Sequence, residues 1–142
     1  MAASSQISEA LRDFAIEFSV DFDERGTGVS DPFHATPQGI LKATQFVPNE
    51  HVLSGSLLNG KNPILFKGVG HKLSGKNPYV FPLLTAFSSS FSYDLEDKDP
   101  LAGSPMIGTD VALASVFQAR NNARVAFVGS VDLFSDAYVF FS

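Results

Sequence analysis

The chain has 142 residues, of which 44% are hydrophobic and 18% charged, so it can form one modest globular domain. Its net charge of −5 provides no basic surface, which argues against nucleic acid as a partner. The absence of cysteine excludes disulfides and thiolate metal sites, and fourteen phenylalanines without a tryptophan predict a phenylalanine-rich core.

The N-terminal region predicts one amphipathic helix followed by a strand. Hydrophobic residues recur at helical spacing over residues 5–18, and Ser4 or Ser5 is placed to cap the helix. Residues 19–23 alternate polar and apolar side chains, as a half-buried strand does. Residues 24–37 contain two glycines and two prolines and predict a loop. The hydrophobic helical positions are Ile7, Leu11, Phe14, Ala15 and Phe18.

The middle of the chain predicts several short strands. Residues 59–66 (NGKNPILF) and 74–81 (SGKNPYVF) echo one another, and in each a Gly-Lys-Asn-Pro turn leads into an apolar strand. Residues 51–58 are interpreted as a strand interrupted by Gly55. The apolar stretch 79–87 predicts a strand in which Pro82 favours an edge position or a bulge. Residues 88–93 continue with alternating polarity, and residues 94–105 are an acidic loop.

The C-terminal third predicts a β-hairpin. Two apolar runs over residues 111–128 flank a tight turn at Asn121-Asn122, because Asn tolerates the positive φ of a two-residue hairpin turn. Arg120 and Arg124 border this turn, where their charged heads can stay in water. A loop opens at Gly129-Ser130, and residues 132–141 are a candidate helix start.

Three glycine-containing motifs suggest nucleotide binding as an alternative function, but each motif is incomplete. Gly68-Val69-Gly70 follows a predicted strand, but Leu73 stands where a dinucleotide fingerprint needs its third glycine. Gly60-Lys61 and Gly75-Lys76 resemble half of a phosphate loop. Each is followed by Asn-Pro, and proline lacks the N–H that a phosphate cradle needs, so both are interpreted as turns.

Metal and nucleophile motifs are equally incomplete. Asp97-Lys98-Asp99 has the Asp-x-Asp form used by metal-dependent glycosyltransferases, but it lies in a charged loop where such spacing arises by chance. The three histidines lack zinc-site spacing and are predicted to be surface or loop residues: His34, His51 and His71. Ser130 lacks the second glycine of a nucleophile elbow and is predicted to form a hydrogen bond in its turn. No catalytic residue, cofactor or metal site is therefore predicted.

Three blocks of the sequence resemble a known protein family. The clearest is QARNNARV at 118–125, followed by Phe127, Gly129-Ser130, Asp132 and Phe134-Ser135-Asp136; the second is NPILFKGVG at 62–70, and a weaker one covers 12–24. Together they resemble the family of 48-kDa subunits of the oligosaccharyltransferase. That complex transfers a preassembled glycan from a dolichyl diphosphate carrier to Asn of nascent chains.

The resemblance implies a fold and a role. It implies an α/β fold, namely part of a Rossmann-like (flavodoxin-like) lumenal domain with additional antiparallel strands and the C-terminal β-hairpin; periodicity alone supports only mixed α and β structure. It also implies a non-catalytic subunit at the lumenal side of the endoplasmic reticulum membrane, whose partners are the other subunits, including the catalytic one. Residues 1–142 are then expected to be a single domain, a fragment without the signal peptide and membrane helix that the family carries.

Residues around the hairpin turn are the candidate subunit interface. Arginine is enriched among interface hot spots, although two solvated arginines beside a turn are the simple alternative. The two aspartates in the set can instead cap the segment that follows the hairpin. The candidate residues are Arg120, Asn121, Asn122, Arg124, Asp132 and Asp136. A free-standing ligand-binding or nucleotide-sugar-dependent domain is the alternative function.

Overall fold

The computed structural model describes residues 6–23, 25–37, 39–47, 63–94 and 106–134, together with residues 1 and 4. Within these ranges no helix is long and apolar enough to cross a membrane. Two short 3-10 turns cover Gly108–Asp110 and Val131–Phe134. The described helix and strands are α1 (Glu9–Ile16), β1 (Val20–Phe22), β2 (Thr27–Ser30), β3 (Leu41–Ala43), β4 (Gln45–Phe46), β5 (Ile64–Phe66), β6 (His71–Leu73), β7 (Val80–Thr85), β8 (Phe91–Asp94), β9 (Ala112–Gln118) and β10 (Arg124–Val128).

Strand β9 organises the main sheet because it pairs with three other strands. Its run ALASVFQ is largely buried, and the sheet has the order β1-β6-β9-β7-β4, with β10 also paired to β9. The β9–β10 register places Phe117 opposite Val125 and Ser115 opposite Phe127. Two further ladders, β2–β8 and β3–β5, lie outside this sheet. All of the described pairings are antiparallel.

Two hydrophobic clusters fill the interior. One contains Phe66, Leu41 and Leu113 and includes residues from the β3–β5 ladder. The other contains Val20, Phe22 and Phe127 and includes the buried Ala15 of α1. Phenylalanines supply the largest fully buried side chains, which confirms the predicted phenylalanine-rich core.

The N-terminal helix is shorter than the sequence predicts. It covers Glu9–Ile16, and its cap is Ser8, whose hydroxyl accepts a hydrogen bond from the Leu11 N–H at 3.3 Å; the prediction of Ser4 or Ser5 as the cap was wrong. The predicted hydrophobic stripe is only partly buried, because Leu11 and Phe14 remain about half exposed at 42% and 49%. The helix therefore leaves part of its apolar face open to solvent.

Several strand predictions are confirmed. β1 lies within residues 19–23 with its predicted alternating burial, and β9 and β10 form the predicted hairpin. β7 has register irregularities between Pro82 and Leu84 and between Leu84 and Thr85, which confirms the predicted bulge. A 3-10 turn, Val131–Phe134, is present near the predicted helix start at 132–141, and residues beyond 134 are outside the described part. The interrupted strand predicted at 51–58 also lies outside it. Of the loop predicted at 94–105, Asp94 belongs to β8 and residues 95–105 lie outside the described part.

One strand contradicts the sequence interpretation, and another was not predicted. Residues 24–37 are not a continuous loop, because β2 lies inside them and pairs with β8, with Gly28 opposite Tyr93. β6 follows the Gly68–Gly70 segment and pairs with β1. Both strands are short and take their stability from partners distant in sequence, which local patterns do not reveal.

The prediction of mixed α and β structure is confirmed, whereas the described residues do not show the Rossmann-like sheet. The chain combines one helix with β-sheets, as mixed α and β structure requires. The described ladders contain no parallel pair, whereas a Rossmann-like or flavodoxin-like domain is built on a parallel sheet. Antiparallel neighbours joined by short connections, as in the β9–β10 hairpin, dominate the described residues.

Candidate functional site

The turn between β9 and β10 is held by backbone and side-chain hydrogen bonds. Ala119 N–H donates to Ala123 O at 2.8 Å, and Asn122 N–H donates to Ala119 O at 3.0 Å. Asn122 has a φ of 64°, which asparagine adopts more readily than most residues. The Asn121 side chain accepts from Ala123 N–H at 3.1 Å. The loop is thus one residue longer than the predicted two-residue turn, with a single positive φ, a geometry typical of three-residue hairpin loops.

The two arginines beside this turn face solvent in different environments. Arg120 Nε donates to the Tyr79 hydroxyl at 2.6 Å, and its guanidinium carbon lies 5.8 Å from the centre of the Tyr79 ring. The Tyr79 contact fixes the direction of the Arg120 side chain. Arg124 is exposed at the start of β10, opposite Gln118. Among the described residues, neither arginine has an ion-pair partner.

A shallow groove of about 340 Å³ runs beside the turn. It combines an aromatic ring, a guanidinium group and amide side chains, which are the groups found at protein interfaces. The guanidinium of Arg120 can still bind a carboxylate, because its Nε–H alone is used by Tyr79. The lining residues are Pro78, Tyr79, Phe81, Gln118, Ala119, Arg120 and Asn122.

The structure divides the predicted set of interface residues. Arg120, Asn121, Asn122 and Arg124 are neighbours at the turn, and all four are exposed. Asp132 lies beyond the other end of β10, where it lines a separate cavity of about 130 Å³ together with Lys67 and Tyr93. Asp136 is outside the described residues. The described aspartate is therefore not part of the surface formed by the arginines.

The segment Gly68-Val69-Gly70 is a buried backbone crossing. A Cβ on Gly68 would overlap the carbonyl oxygen of Gly129, and a Cβ on Gly70 would lie 2.5 Å from Val111 Cγ1. Val69 N–H donates to Gly129 O at 2.9 Å. The glycines permit close contact between two chain segments, and the Val69 N–H that a phosphate cradle would use is already donated to Gly129 O. This geometry weighs against the nucleotide-binding alternative.

The other motifs have structural explanations. The Ser130 hydroxyl donates to Lys67 O at 2.8 Å, which confirms its predicted hydrogen-bonding role. Gly75, with a φ of 74°, forms the predicted turn that leads into β7. Asp97-Lys98-Asp99, Gly60-Lys61 and His51 lie outside the described residues. Within the described ranges, no three histidine, aspartate or glutamate side chains form a group able to hold a metal ion.

His71 corrects the prediction that the histidines are surface or loop residues. It lies in β6 with 0% exposure, and its Nε2 is 2.6 Å from the Ser115 hydroxyl. Its ring packs 4.8 Å from that of Phe22. Burial lowers the pKa of His71 to about 3, because the interior does not solvate the imidazolium. The ring is therefore neutral at physiological pH and belongs to the core.

Asp31 forms a hydrogen-bond network that the sequence analysis missed. Its carboxylate, 1% exposed, accepts from Phe33 N–H at 2.7 Å and from the Ser89 and Ser90 hydroxyls at 2.6 and 2.8 Å. Burial raises the pKa of Asp31, but these hydrogen bonds and His34 outweigh burial and lower it to about 2. The Asp-Pro step at Asp31 was the one local sequence feature that pointed to this turn. Only the fold shows that Ser89 and Ser90, which follow Asp31 by 58 and 59 positions, complete the network.

These observations define a β-rich domain with an exposed arginine-containing hairpin turn, whose buried ionisable groups are engaged in internal contacts. Comparison with known proteins gives the family. Residues 1–141 match the family model described as "OST48, N-terminal domain". The chain therefore belongs to the OST48 family.

Curated relatives from distant organisms agree with this assignment. The chain is 39% identical over 143 residues to the "Dolichyl-diphosphooligosaccharide--protein glycosyltransferase 48 kDa subunit" of Danio rerio, covering 97% of the chain and 32% of that relative. It is 34% identical over 145 residues to the proteins of the same name from Caenorhabditis elegans, at 97% and 32% coverage, and Arabidopsis thaliana, at 98% and 33%. The chain thus spans about a third of the length of these relatives.

Proposed function

We propose that the protein is a non-catalytic subunit of the oligosaccharyltransferase complex, in which it supports assembly. The family match over residues 1–141 carries this proposal, because the matched relatives are named as the 48-kDa subunit of that glycosyltransferase. The complex would transfer a preassembled glycan from a dolichyl diphosphate carrier to Asn of nascent chains. This chain would contribute surfaces that hold the other subunits, including the catalytic one.

The hairpin-turn surface supports an assembly role. It presents Arg120 and Arg124 without ion-pair partners among the described residues, next to the partly exposed ring of Tyr79. Arginine and tyrosine dominate the binding energy of many protein interfaces. A partner with carboxylates and an apolar contact for the tyrosine would complement this surface. The proposed interface residues are Arg120, Asn121, Asn122 and Arg124 at the turn, Asp132 beyond the other end of β10, and Asp136, which lies outside the described residues.

The family also suggests a location and a larger architecture. We propose that the domain works at the lumenal side of the endoplasmic reticulum membrane, where the glycan transfer would take place. We further propose that the described residues belong to a larger Rossmann-like (flavodoxin-like) lumenal domain. The mixed α and β content of this chain is compatible with such a domain.

Co-purification of the complex tests both the assignment and the proposed interface. A tagged full-length protein is expressed in cells, and the other oligosaccharyltransferase subunits are quantified after affinity purification. We expect them to co-purify, and we expect the double substitution Arg120→Glu and Arg124→Glu to reduce their yield by placing two anions against an acidic partner surface.

Lys76→Glu serves as the control for a single charge reversal, because it replaces one cation by an anion at an exposed position in a different turn. Its yield of partner subunits should equal that of the unmodified protein. Absence of the other subunits from the unmodified purification contradicts the proposed function. Equal loss in the double substitution and in Lys76→Glu would contradict the proposed interface alone.

A further inference from the structure

The groove beside the β9–β10 turn contains an aromatic ring that a ligand can contact. Tyr79 directly precedes β7 and is 36% exposed, and its hydroxyl accepts a hydrogen bond from Arg120 Nε at 2.6 Å. The hydroxyl is therefore engaged within the protein, whereas the ring still forms part of the groove surface. Pro78 and Phe81 add apolar lining. C–H groups of a ligand can pack against a ring of this kind.

The polar side chains along the groove provide hydrogen-bond donors and acceptors together. Tyr79 uses only the Nε–H of Arg120, so the N–H groups on the two terminal nitrogens have no partner among the described residues. The side-chain amides of Gln118 and Asn122 are likewise without a hydrogen-bond partner in the described ranges. Each amide has an acceptor oxygen and an NH2 donor. A carboxylate accepts only and would match the donors alone, whereas a hydroxyl group both donates and accepts.

The two chain segments that form the groove are held together by backbone hydrogen bonds. Gln118 N–H donates to Tyr79 O at 3.0 Å, and Tyr79 N–H donates to the side-chain oxygen of Asn77, also at 3.0 Å. Asn122 N–H donates to Ala119 O within the turn. The aromatic ring and the amide side chains are thus carried by a fixed backbone before a ligand binds, which reduces the entropy lost on binding.

This set of groups indicates the chemical class of the ligand. A sugar ring presents C–H groups on its faces, which pack on an aromatic ring, and hydroxyl groups at its edge, which bond to planar amides and to guanidinium. Pockets for compact small molecules bury most of the ligand surface. The groove is shallow, with a volume of about 340 Å³, so most of a bound molecule would stay in water. A large hydrophilic oligosaccharide fits that description.

We propose that the groove beside the β9–β10 turn binds oligosaccharide, with a sugar ring packed on Tyr79. Hydroxyl groups of the sugar bond to Arg120, Gln118 and Asn122. This inference rests on the proposed function for the source of the sugar, namely the preassembled glycan that the complex would transfer. Arg124 does not line the groove and stays available to a partner subunit, so the glycan and the subunit contact would be neighbours at one turn.

Titration with free glycan tests the proposal. The 15N-labelled chain of 142 residues is titrated with N-glycans released from a glycoprotein, and its backbone amide signals are followed by NMR. We expect saturable shifts at residues 79–81 and 118–122. Absence of saturable shifts at these residues overturns the proposal. A short acidic peptide supplies the comparison, and saturation of the same amides by the peptide at lower concentration than by the glycan also overturns it.

Substitutions in the groove measure the contribution of single side chains. Tyr79→Ala and Gln118→Ala should each weaken glycan binding at least about tenfold, whereas Tyr79→Phe, which keeps the ring, should lose less. Arg25→Ala is the control and should bind as the unmodified chain does, because Arg25 is exposed in the turn before β2 and does not line the groove. Unchanged affinity in both alanine variants overturns this inference and leaves the proposed function intact. Failure of the other subunits to co-purify overturns the proposed function instead, because the titration does not depend on them.

Discussion

Asp31 and His71 are buried ionisable side chains with opposite charge states: Asp31 is ionised and His71 is neutral. Asp31 keeps its negative charge because donors from two loops surround it. His71 is kept neutral beside Ser115 and Phe22, and its Nδ1 has no hydrogen-bond partner among the described residues. The first side chain joins loops, and the second fills space between strands of the main sheet.

Removal of the Asp31 carboxylate should destabilise the protein. Asp31→Ala leaves the N–H groups of Phe33 and His34 and the hydroxyl of Ser90 without their acceptor. We expect a loss of about 2–4 kcal/mol in the free energy of unfolding, measured by urea denaturation at pH 7.

Asp31→Asn is the more conservative test, and it should cost less because the amide oxygen still accepts hydrogen bonds. Its matched control is Asp21→Asn, since Asp21 is exposed on β1 and should change stability by less than about 0.5 kcal/mol. Equal stability in Asp31→Asn and Asp21→Asn would show that the network contributes little.

Neither buried residue was predictable from the sequence, for a physical reason. The two serine hydroxyls that donate to Asp31 lie 58 and 59 positions away, and Ser115 lies 44 positions from His71. Local patterns carry no information about such pairings. The hydrogen bond of the Ser130 hydroxyl was predictable, because a serine in the turn after a core strand commonly bonds to a nearby backbone group.

At the scale of secondary structure, sequence patterns were most informative where the chain pairs with itself over short distances. The β9–β10 hairpin and the bulge at Pro82 follow from residue chemistry within a few positions. β2 and β6 were missed because each has only three or four residues and a partner far along the chain. The interface itself stays a prediction; the structure places Arg120 and Arg124 at the same turn and Asp132 beside a separate cavity.

Gly68 should tolerate no side chain. A Cβ there would overlap the backbone of Gly129, so Gly68→Ala must displace one of two buried segments. We expect a loss of about 3 kcal/mol or more in unfolding free energy, measured by thermal or urea denaturation.

Gly75→Ala separates this steric effect from backbone strain. Gly75 has a φ of 74° and nothing within 4 Å of an added Cβ, so alanine there should cost only about 1 kcal/mol. A Gly68→Ala variant as stable as Gly75→Ala would contradict the close contact at Gly129.

The turn conformation of Asn122 gives a second prediction at this scale. Its φ of 64° is strained for a β-branched residue, so Asn122→Val should destabilise the protein by about 1–2 kcal/mol. Asn122→Gly should be close to neutral, because glycine adopts the same φ without strain. Denaturation of the two variants side by side measures the difference, and similar losses in both would argue against the positive φ.

For the whole molecule, protonation of His71 sets a limit on stability in mild acid. Its pKa is about 3 in the folded protein and 6.5 in the unfolded chain, so the unfolded state takes up the proton first as the pH falls. Its contribution to stability is therefore complete above about pH 6.5 and is lost progressively toward pH 3. We expect the unfolding free energy to fall by about 2 kcal/mol between pH 7 and pH 5.

His71→Gln, which does not titrate, should remove most of this decline, whereas His34→Gln should keep it because His71 is still present. Urea denaturation at a series of pH values supplies the measurement. Asp31 acts at lower pH: its stabilisation is complete above its unfolded pKa of 3.8 and is lost as the pH falls toward about 2. A flat profile between pH 7 and pH 5 in the unmodified protein would contradict the burial of His71.

The position of β9 has a consequence for how the chain folds during synthesis. A ribosome releases β1, β4, β6 and β7 before it reaches residue 112, and these strands can form only the β1–β6 and β4–β7 ladders. The two ladders join only when residues 112–118 emerge and insert between β6 and β7. Until then, each growing chain displays unpaired strand edges, so nascent molecules should depend on chaperone protection for longer than the finished fold suggests.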